Sequence, residues 1–184
     1  MFSANMAQQM GGGMGQQAAP KTESKDILNI NQLIETSKSE CQNADSSTPF
    51  INIFQSSDAY TLKSDCDEQL LFNLYFQNPV KIHHLVMRAP TTETAPLNIK
   101  IFINRAPMSF SDMDAIDPTE ELEIQEGELQ GDIILNYVKY QNVSNLTLFV
   151  ENNRDGGDIT ELNKLEFHGA SLMDTDMGKL QKTG

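Results

Sequence analysis

Short runs of alternating apolar and polar residues, separated by proline, glycine and asparagine, dominate the sequence from residue 50 onward. Such alternation places the apolar side chains on one face of a β-strand. Many short strands at close spacing are typical of an antiparallel sandwich or barrel, and the strand–helix alternation of a parallel sheet is missing. The expected strands cover residues 50–54, 70–76, 81–87, 99–103, 138–143, 146–150 and 162–167. The sequence therefore predicts an all-β sandwich.

One segment ahead of these strands has a helical period instead. Asp26 can cap a helix, and the apolar residues that follow recur three and four positions apart: Ile27, Ile30, Leu33 and Ile34. This spacing predicts one short amphipathic helix that ends before Cys41.

The two ends of the chain differ from the part between them. Residues 1–25 hold four of the nine methionines, several glutamines and a run of three glycines, so they lack the apolar surface needed to offset the entropy of ordering. We predict a low-complexity disordered tail at 1–25, with a partner-binding arm as the alternative. A single domain then covers 26–172, and a second tail covers 173–184.

The charge of the chain excludes two classes of partner. The formal net charge is -13, whereas binding to nucleic acid or to an anionic membrane requires a basic surface. Nothing in the sequence is apolar for long enough to span a bilayer, and the first residues lack a secretory signal. We expect a cytosolic or nuclear protein with two reduced cysteines.

The acidic residues are concentrated in one segment. Between Arg105 and Lys139 there are nine aspartates and glutamates and no basic residue. The sequence favours a solvated excursion between two strands, and a docking surface for a basic partner is the alternative.

The residues that could carry chemistry do not form a recognisable catalytic set. Cys66 is flanked by acids, which disfavour the thiolate, and no C-x-x-C motif is present. His83 and His84 are adjacent in an expected strand, so they should point to opposite faces, and with His168 they are a weak signal for zinc. The acidic turn at 65–68 and the 155–158 turn lack the oxygen ligands for calcium on their own. The chemistry of the sequence predicts no enzyme activity and no cofactor.

Several blocks of the sequence resemble a known family. Residues 64–71 (SDCDEQLL) resemble the signature of the PITH domain, the C-terminal domain of proteasome-interacting thioredoxin-like proteins. Further blocks agree with the family in the same order: 76–82 (FQNPVKI), 99–105 (IKIFINR), 137–143 (YVKYQNV), 146–152 (LTLFVEN) and 159–169, which ends in Phe-x-Gly. The resemblance covers about residues 26–172.

The resemblance implies a jelly-roll β-sandwich similar to galactose-binding domains. It also implies association with the regulatory particle of the proteasome and no catalysis by the domain itself. Longer members of the family carry an N-terminal thioredoxin domain with a C-x-x-C motif. Here the low-complexity residues stand in its place, so the chain resembles the stand-alone form and thioredoxin activity does not carry over.

Six residues are candidates for contacts or for fixing a loop. Asp65, Asp67 and Glu68 can accept backbone N–H bonds and fix a turn where strands change sheet. The other three, Lys81, Lys100 and Lys139, have apolar neighbours in expected strands, so we predict that they face outward as basic contacts.

We therefore expect an adaptor that binds protein partners, first of all the proteasome regulatory particle. A structural subunit of another large assembly, such as a ciliary axoneme, is the alternative, and it would place the protein in the cilium. A carbohydrate-binding module is suggested only by the fold, and the absence of tryptophan argues against it.

Overall fold

The computed structural model describes residues 27–55 and 59–173, and these residues form a β-sandwich. The predicted tails lie largely outside this range. The strands are β1 (Leu28–Asn29), β2 (Glu40–Gln42), β3 (Leu62–Lys63), β4 (Leu70–Arg88), β5 (Asn98–Ile103), β6 (Glu120–Glu123), β7 (Ile133–Ile134), β8 (Val143–Val150), β9 (Glu161–Leu162) and β10 (Lys164–Ser171). Short 3-10 helices cover Asn31–Leu33, Phe50–Phe54, Phe110–Asp112, Glu126–Leu129 and Tyr137–Tyr140.

Strand β4 is the element around which the sheet is organised. The main path runs β1-β10-β4-β8-β5-β6, while β2 and β7 also pair with β4, and β3 pairs with β9 separately. All of these pairings are antiparallel. The first part of β4 pairs with β2 and β8, and its second part pairs with β7 and β10. The register with β8 shifts between Tyr75 and Val80, where Pro79 cannot donate a ladder hydrogen bond.

The alternation along β5 and β8 fills the main core, as the sequence predicts. Ile99 and Ile101 pair with Val150 and Leu148, and all four are buried in the same cluster. The opposite face of these strands is also covered. There, residues following β5 close over a second, smaller cluster that comprises Leu71, Phe102, Met108, Met113 and Phe149.

A buried asparagine fixes this covering segment to the sheet. The side chain of Asn73 is fully buried, and its Nδ2 donates to the Met108 carbonyl at 2.8 Å and to Glu40 Oε1 at 3.0 Å. Its Oδ1 accepts from the Met108 N–H at 3.1 Å and from Thr147 Oγ1 at 2.8 Å. All four hydrogen-bonding positions of the amide are therefore used, which removes the cost of burying it.

The predicted amphipathic helix is wrong. The segment instead forms β1 at the sheet edge and a single 3-10 turn, with Ile30 and Ile34 buried. Asn31 holds it in place: Nδ2 donates to the Leu165 carbonyl at 2.9 Å, and Oδ1 accepts from the Phe167 N–H at 2.9 Å. These tertiary hydrogen bonds to β10 outweigh a helical preference that eight residues cannot sustain alone.

Two of the predicted strands are 3-10 helices. Residues Phe50–Phe54 coil into one behind Pro49 and bury Ile53. Residues Tyr137–Tyr140 form another with Tyr140 buried, and the strand begins only at Val143. Apolar side chains in such short runs can meet a core from either geometry, so alternation alone does not separate them.

The acidic segment is not simply an excursion. It contains the edge strand β6 and the short strand β7, and it buries Ile124, Leu129 and Ile133 in the main core. All nine acidic residues of the segment are exposed or half-buried.

Gly169 provides a direct test of the packing between β10 and β4. A Cβ atom on Gly169 would lie 1.8 Å from the carbonyl oxygen of Lys81, which is a backbone atom in the neighbouring strand and cannot move aside. We expect Gly169→Ala to lower the free energy of unfolding by about 3 kcal/mol or more, measured by urea denaturation. Gly127→Ala is the matched control, because no atom lies within 4 Å of its added Cβ. Equal stability of the two variants would contradict the described approach of the strands.

Candidate protein-interaction surface

The acidic turn ahead of β4 is held by a side chain from a distant part of the chain. Asn43 adopts a positive φ of 61° and donates from Nδ2 to Asp67 Oδ1 at 2.7 Å and to the Gln69 carbonyl at 2.6 Å. Its Oδ1 accepts the N–H of Cys66 at 3.0 Å, while Asp67 Oδ1 also accepts the N–H of Gln69 at 3.1 Å. The Asp67 carboxylate therefore organises the turn, as an Asx-type acceptor does.

The other two acids of the turn contribute differently. Glu68 accepts a 2.6 Å bond from Thr160 Oγ1, but through its backbone carbonyl and not its carboxylate. Asp65 is exposed, and its carboxylate accepts only a weak 3.7 Å bond from the thiol of Cys66. Of the three predicted loop-fixing side chains, the structure brings only Asp67 into the hydrogen bonds of the turn.

The three candidate lysines do not form one basic surface. Lys100 is largely covered, with 15% of its side chain exposed: its Nζ is 3.2 Å from Glu151 Oε1 and 6.0 Å from the centre of the Phe149 ring, so little of it is available for an outward contact. Lys139 lies in a 3-10 helix and not in a strand, and its Nζ donates to the Thr119 carbonyl at 2.6 Å. Lys81 is half-buried on β4, opposite Ala170.

Both cysteine thiols are held in the protonated form. Cys41 packs against the main core, and burial raises its pKa, with the charge of Glu40 adding to the effect. Cys66 is exposed, and the negative charge of Asp65 raises its pKa above the ordinary value of 9.0, helped by the hydrogen bond to Asp65. Neither thiol has the positive environment of a reactive cysteine.

A bulge in β4 places His83 and His84 on the same face of the sheet, contrary to the expectation from the sequence. His84 pairs with His168 and Ile82 pairs with Gly169, so His83 is an extra residue opposite no partner in β10. Ile82 and Leu85 on either side both point into the core. An inserted residue of this kind re-aims the side chains beside it.

The bulge assembles all three histidines of the chain. His83 Nδ1 lies 3.1 Å from His84 Nδ1, and the His84 ring stacks on the His168 ring with centroids 4.6 Å apart. Two carboxylates border the group: Glu166 is 3.0 Å from His168 Nε2, and Asp132 is 3.8 Å from His84 Nε2. Burial lowers the pKa of His84 below 6.5, and the Asp132 charge only partly offsets this.

An apolar patch adjoins the histidines. Ile134 pairs with His84 across β7 and is 59% exposed, and the Tyr137 ring packs against His83 with centroids 5.7 Å apart. Val138, the next residue, is 81% exposed. Large apolar side chains are normally exposed singly, so three within five residues form a candidate interaction site. We call these six residues the histidine surface: His83, His84, His168, Ile134, Tyr137 and Val138.

The 3-10 helix that carries Tyr137 and Val138 is anchored to the domain by its other residues. Tyr140 is fully buried, and burial together with the nearby Glu120 charge raises the pKa of its hydroxyl. The Glu120 carboxylate accepts the N–H of Asn136 at 3.2 Å, and the carbonyl of Thr119 accepts from Lys139. Tyr137 and Val138 therefore project outward from an anchored 3-10 helix, and preorganisation of this kind lowers the entropic cost of binding.

The geometry of the histidine surface does not favour a metal. In the described part of the chain, no group of three or more His, Cys, Asp or Glu side chains is arranged to hold a metal ion. The His84 and His168 rings are nearly parallel, at 16°, so their nitrogens do not converge on one point.

Residues 27–55 and 59–173 contain no helix that is long and apolar enough to cross a membrane.

Comparison with known proteins agrees with the resemblance seen in the sequence. The family model of the PITH domain matches residues 20–184. Thioredoxin-like protein 1 of Schizosaccharomyces pombe is 34% identical over 164 residues, which cover 86% of this chain and 57% of that protein. A PITH domain-containing protein of Drosophila melanogaster is 30% identical over 122 residues, covering 60% of this chain and 56% of that one. The chain thus spans little more than half the length of these relatives.

The solved structures with a similar fold include carbohydrate-binding modules. The family 32 modules of Clostridium perfringens ZmpB, in complex with GalNAc, match with a TM-score of 0.61 at 9% identity, over 79% of this chain and 37% of that one. The family 32 module of Clostridium perfringens NanJ, in complex with galactose, matches with a TM-score of 0.56 at 6% identity, over 75% of this chain and 95% of that one. At this identity the likeness shows the jelly-roll fold alone.

The thiol of Cys66 offers a test of the acidic turn. We expect Asp65→Asn to raise the rate of Cys66 alkylation by iodoacetamide roughly threefold at pH 8, since removing the neighbouring charge favours the thiolate. Mass spectrometry of the modified peptide gives the rate, and Glu121→Gln on β6 is the distant control. An unchanged or slower rate in Asp65→Asn would contradict the assigned cause.

Proposed function

The chain belongs to the PITH domain family, and we propose that it is a non-catalytic adaptor domain that docks on the regulatory particle of the proteasome. The relative named thioredoxin-like protein 1 aligns with 86% of this chain, so it shares the domain described here. An adaptor of this kind needs an exposed surface for a protein and no reacting group.

The observation that carries this proposal is the exposed apolar patch within the block at 137–143. Tyr137 and Val138 face solvent, although the same short helix buries Tyr140 completely. Burial of exposed apolar area in an interface contributes roughly 25 cal/mol per Å² to the free energy of binding. A tyrosine beside aliphatic side chains is a common centre of protein interfaces. The position of the patch, on a rigid base at the sheet surface, fits a preformed docking site.

The charges around the patch indicate the character of the partner. Asp132 and Glu166 border the histidines, the nearby Glu120 lies beneath the 3-10 helix, and the whole chain carries a net charge of -13. A partner with an apolar centre and a basic rim complements such a surface and approaches it faster at low salt. On this proposal, the docking face of the regulatory particle has that composition.

Docking can be tested with two substitutions on the patch and one matched control. We expect the double variant Ile134→Glu with Val138→Glu to bind purified regulatory particle at least tenfold more weakly, about 1.4 kcal/mol, because charges replace the apolar contacts. Leu28→Glu is the control. Leu28 has the same 59% exposure as Ile134, but it pairs with Gly169 and points to the other side of the sheet from His168.

The measurement is the dissociation constant of the full chain at physiological salt, with circular dichroism to verify folding of each variant. Equal binding by the double variant and the wild type would contradict docking through this patch. Wild-type protein that does not bind the regulatory particle would contradict the partner itself. Affinity purification followed by mass spectrometry would then discriminate an axonemal or other assembly, and a glycan array would test sugar binding.

A further inference from the structure

We propose that the three histidines act as a proton switch on the histidine surface, so that acid pH rearranges the surface and weakens docking. The effect on docking rests on the function proposed above, whereas the rearrangement is a property of this chain alone. His83, His84 and His168 are all the histidines that the sequence contains, and the bulge brings them to one place.

The contact between His83 and His84 holds only one proton well. Their Nδ1 atoms are 3.1 Å apart, so one nitrogen donates an N–H and the other accepts it. One added proton occupies the free Nε2 of the donating ring and leaves this contact in place, whereas protonation of both rings places two N–H groups against each other and two positive charges in adjacent side chains. The rings must then separate.

Stacking extends this constraint to the third histidine. The His84 and His168 rings lie 4.6 Å apart and nearly parallel, so charge on both rings is also unfavourable. Separation of the His83 ring would disturb Tyr137, which packs against it, and with it the neighbouring Val138. The arrangement of the apolar patch therefore depends on at least one of these two adjacent rings staying neutral.

The other charged groups near the cluster come from each element around it. Glu166 on β10 contacts His168, and Asp132 ahead of β7 lies 3.8 Å from His84, where its negative charge favours the protonated ring. Lys81 on β4 and Lys164 on β10 lie, by strand alternation, on the same side of the sheet as the histidines and carry positive charge. Lys139 belongs to the 3-10 helix, but it contacts the Thr119 carbonyl instead. The Asn29 side of β1, opposite His168, is uncharged.

The sign of the pH dependence follows from burial. A partner that covers the surface removes water from the imidazoles, so the pKa of His84 is lower in the complex than in the free chain. In the free chain burial already holds this pKa below 6.5. The complex is therefore fully stable above the pKa of the free histidine and is lost as pH falls through it, with a limit of tenfold per pH unit for each proton.

The experiment compares the full wild-type chain with a variant that carries His83→Gln, His84→Gln and His168→Gln. In the free protein, NMR follows the histidine ring protons together with the methyl groups of Ile134 and Val138 from pH 7.5 to pH 5.5. We expect the methyl resonances of the wild type to shift in step with the titration of His84, with a midpoint below 6.5. The same methyls in the variant should stay constant.

A second arm measures binding to purified regulatory particle at the two pH values. We expect wild-type affinity to fall by roughly three- to tenfold at pH 5.5, and the affinity of the triple variant to change less than twofold. Methyl resonances that do not move in the wild type, or that move equally in the variant, would overturn the switch. Absence of binding at pH 7.5 would overturn only the proposed partner, because the NMR arm decides the switch independently.

Discussion

The length of β4 is the constraint on which the rest of this structure depends. A straight strand of 19 residues would extend roughly 60 Å, at about 3.3 Å per residue. A domain of this size has a radius of gyration of only about 15 Å. The strand must therefore bend within the domain, and it does so at two irregularities. One is the register shift against β8 between Tyr75 and Val80, and the other is the bulge at His83.

Each irregularity has a consequence for the rest of the structure. At the first irregularity, the main pairing partners of β4 change from β2 and β8 to β7 and β10. This one strand therefore connects the two parts of the sheet. The second turns two adjacent histidines outward and brings the β4 backbone against Gly169, where only a glycine fits. The glycine of the Phe-x-Gly sequence within β10 and the histidine surface are thus both related to this bulge.

The sequence predicts β5 and β8 better than the short elements, and it divides the single strand β4 into two, at 70–76 and 81–87. Residues 99–103 and 146–150 alternate through a full strand and lie in the core as expected, because two buried faces leave no other register. Residues 50–54 and 137–140 are too short for their period to discriminate a strand from a 3-10 helix. The 27–34 segment fails for a different reason, since the hydrogen bonds of Asn31 to β10 are not visible in local spacing.

The bulge left a signal that simple alternation overlooks. Ile82 and Leu85 are apolar and three positions apart, so they cannot both face the core of a regular strand. An extra residue between them is the simplest way to bury both, and it predicts that His83 and His84 share a face. The position of Lys100 had no such signal, because its partner Glu151 lies 51 residues away in sequence.

The most recognisable block of the family therefore explains the fold more than the binding. In the acidic turn of this block, the Asp67 carboxylate accepts hydrogen bonds from Asn43 and from the N–H of Gln69. The backbone carbonyl of Glu68 accepts a hydrogen bond from Thr160 Oγ1, and Ser64 Oγ accepts the N–H of the buried Thr160 at 2.9 Å. These groups already form hydrogen bonds within the domain. The Asp65 carboxylate is exposed and accepts the weak bond from the Cys66 thiol. The block at 137–143 differs, because it anchors itself through Tyr140 and leaves Tyr137 and Val138 in solvent. Burial in the core accounts for Tyr140, whereas Tyr137 and Val138 add exposed apolar area to the docking surface proposed above.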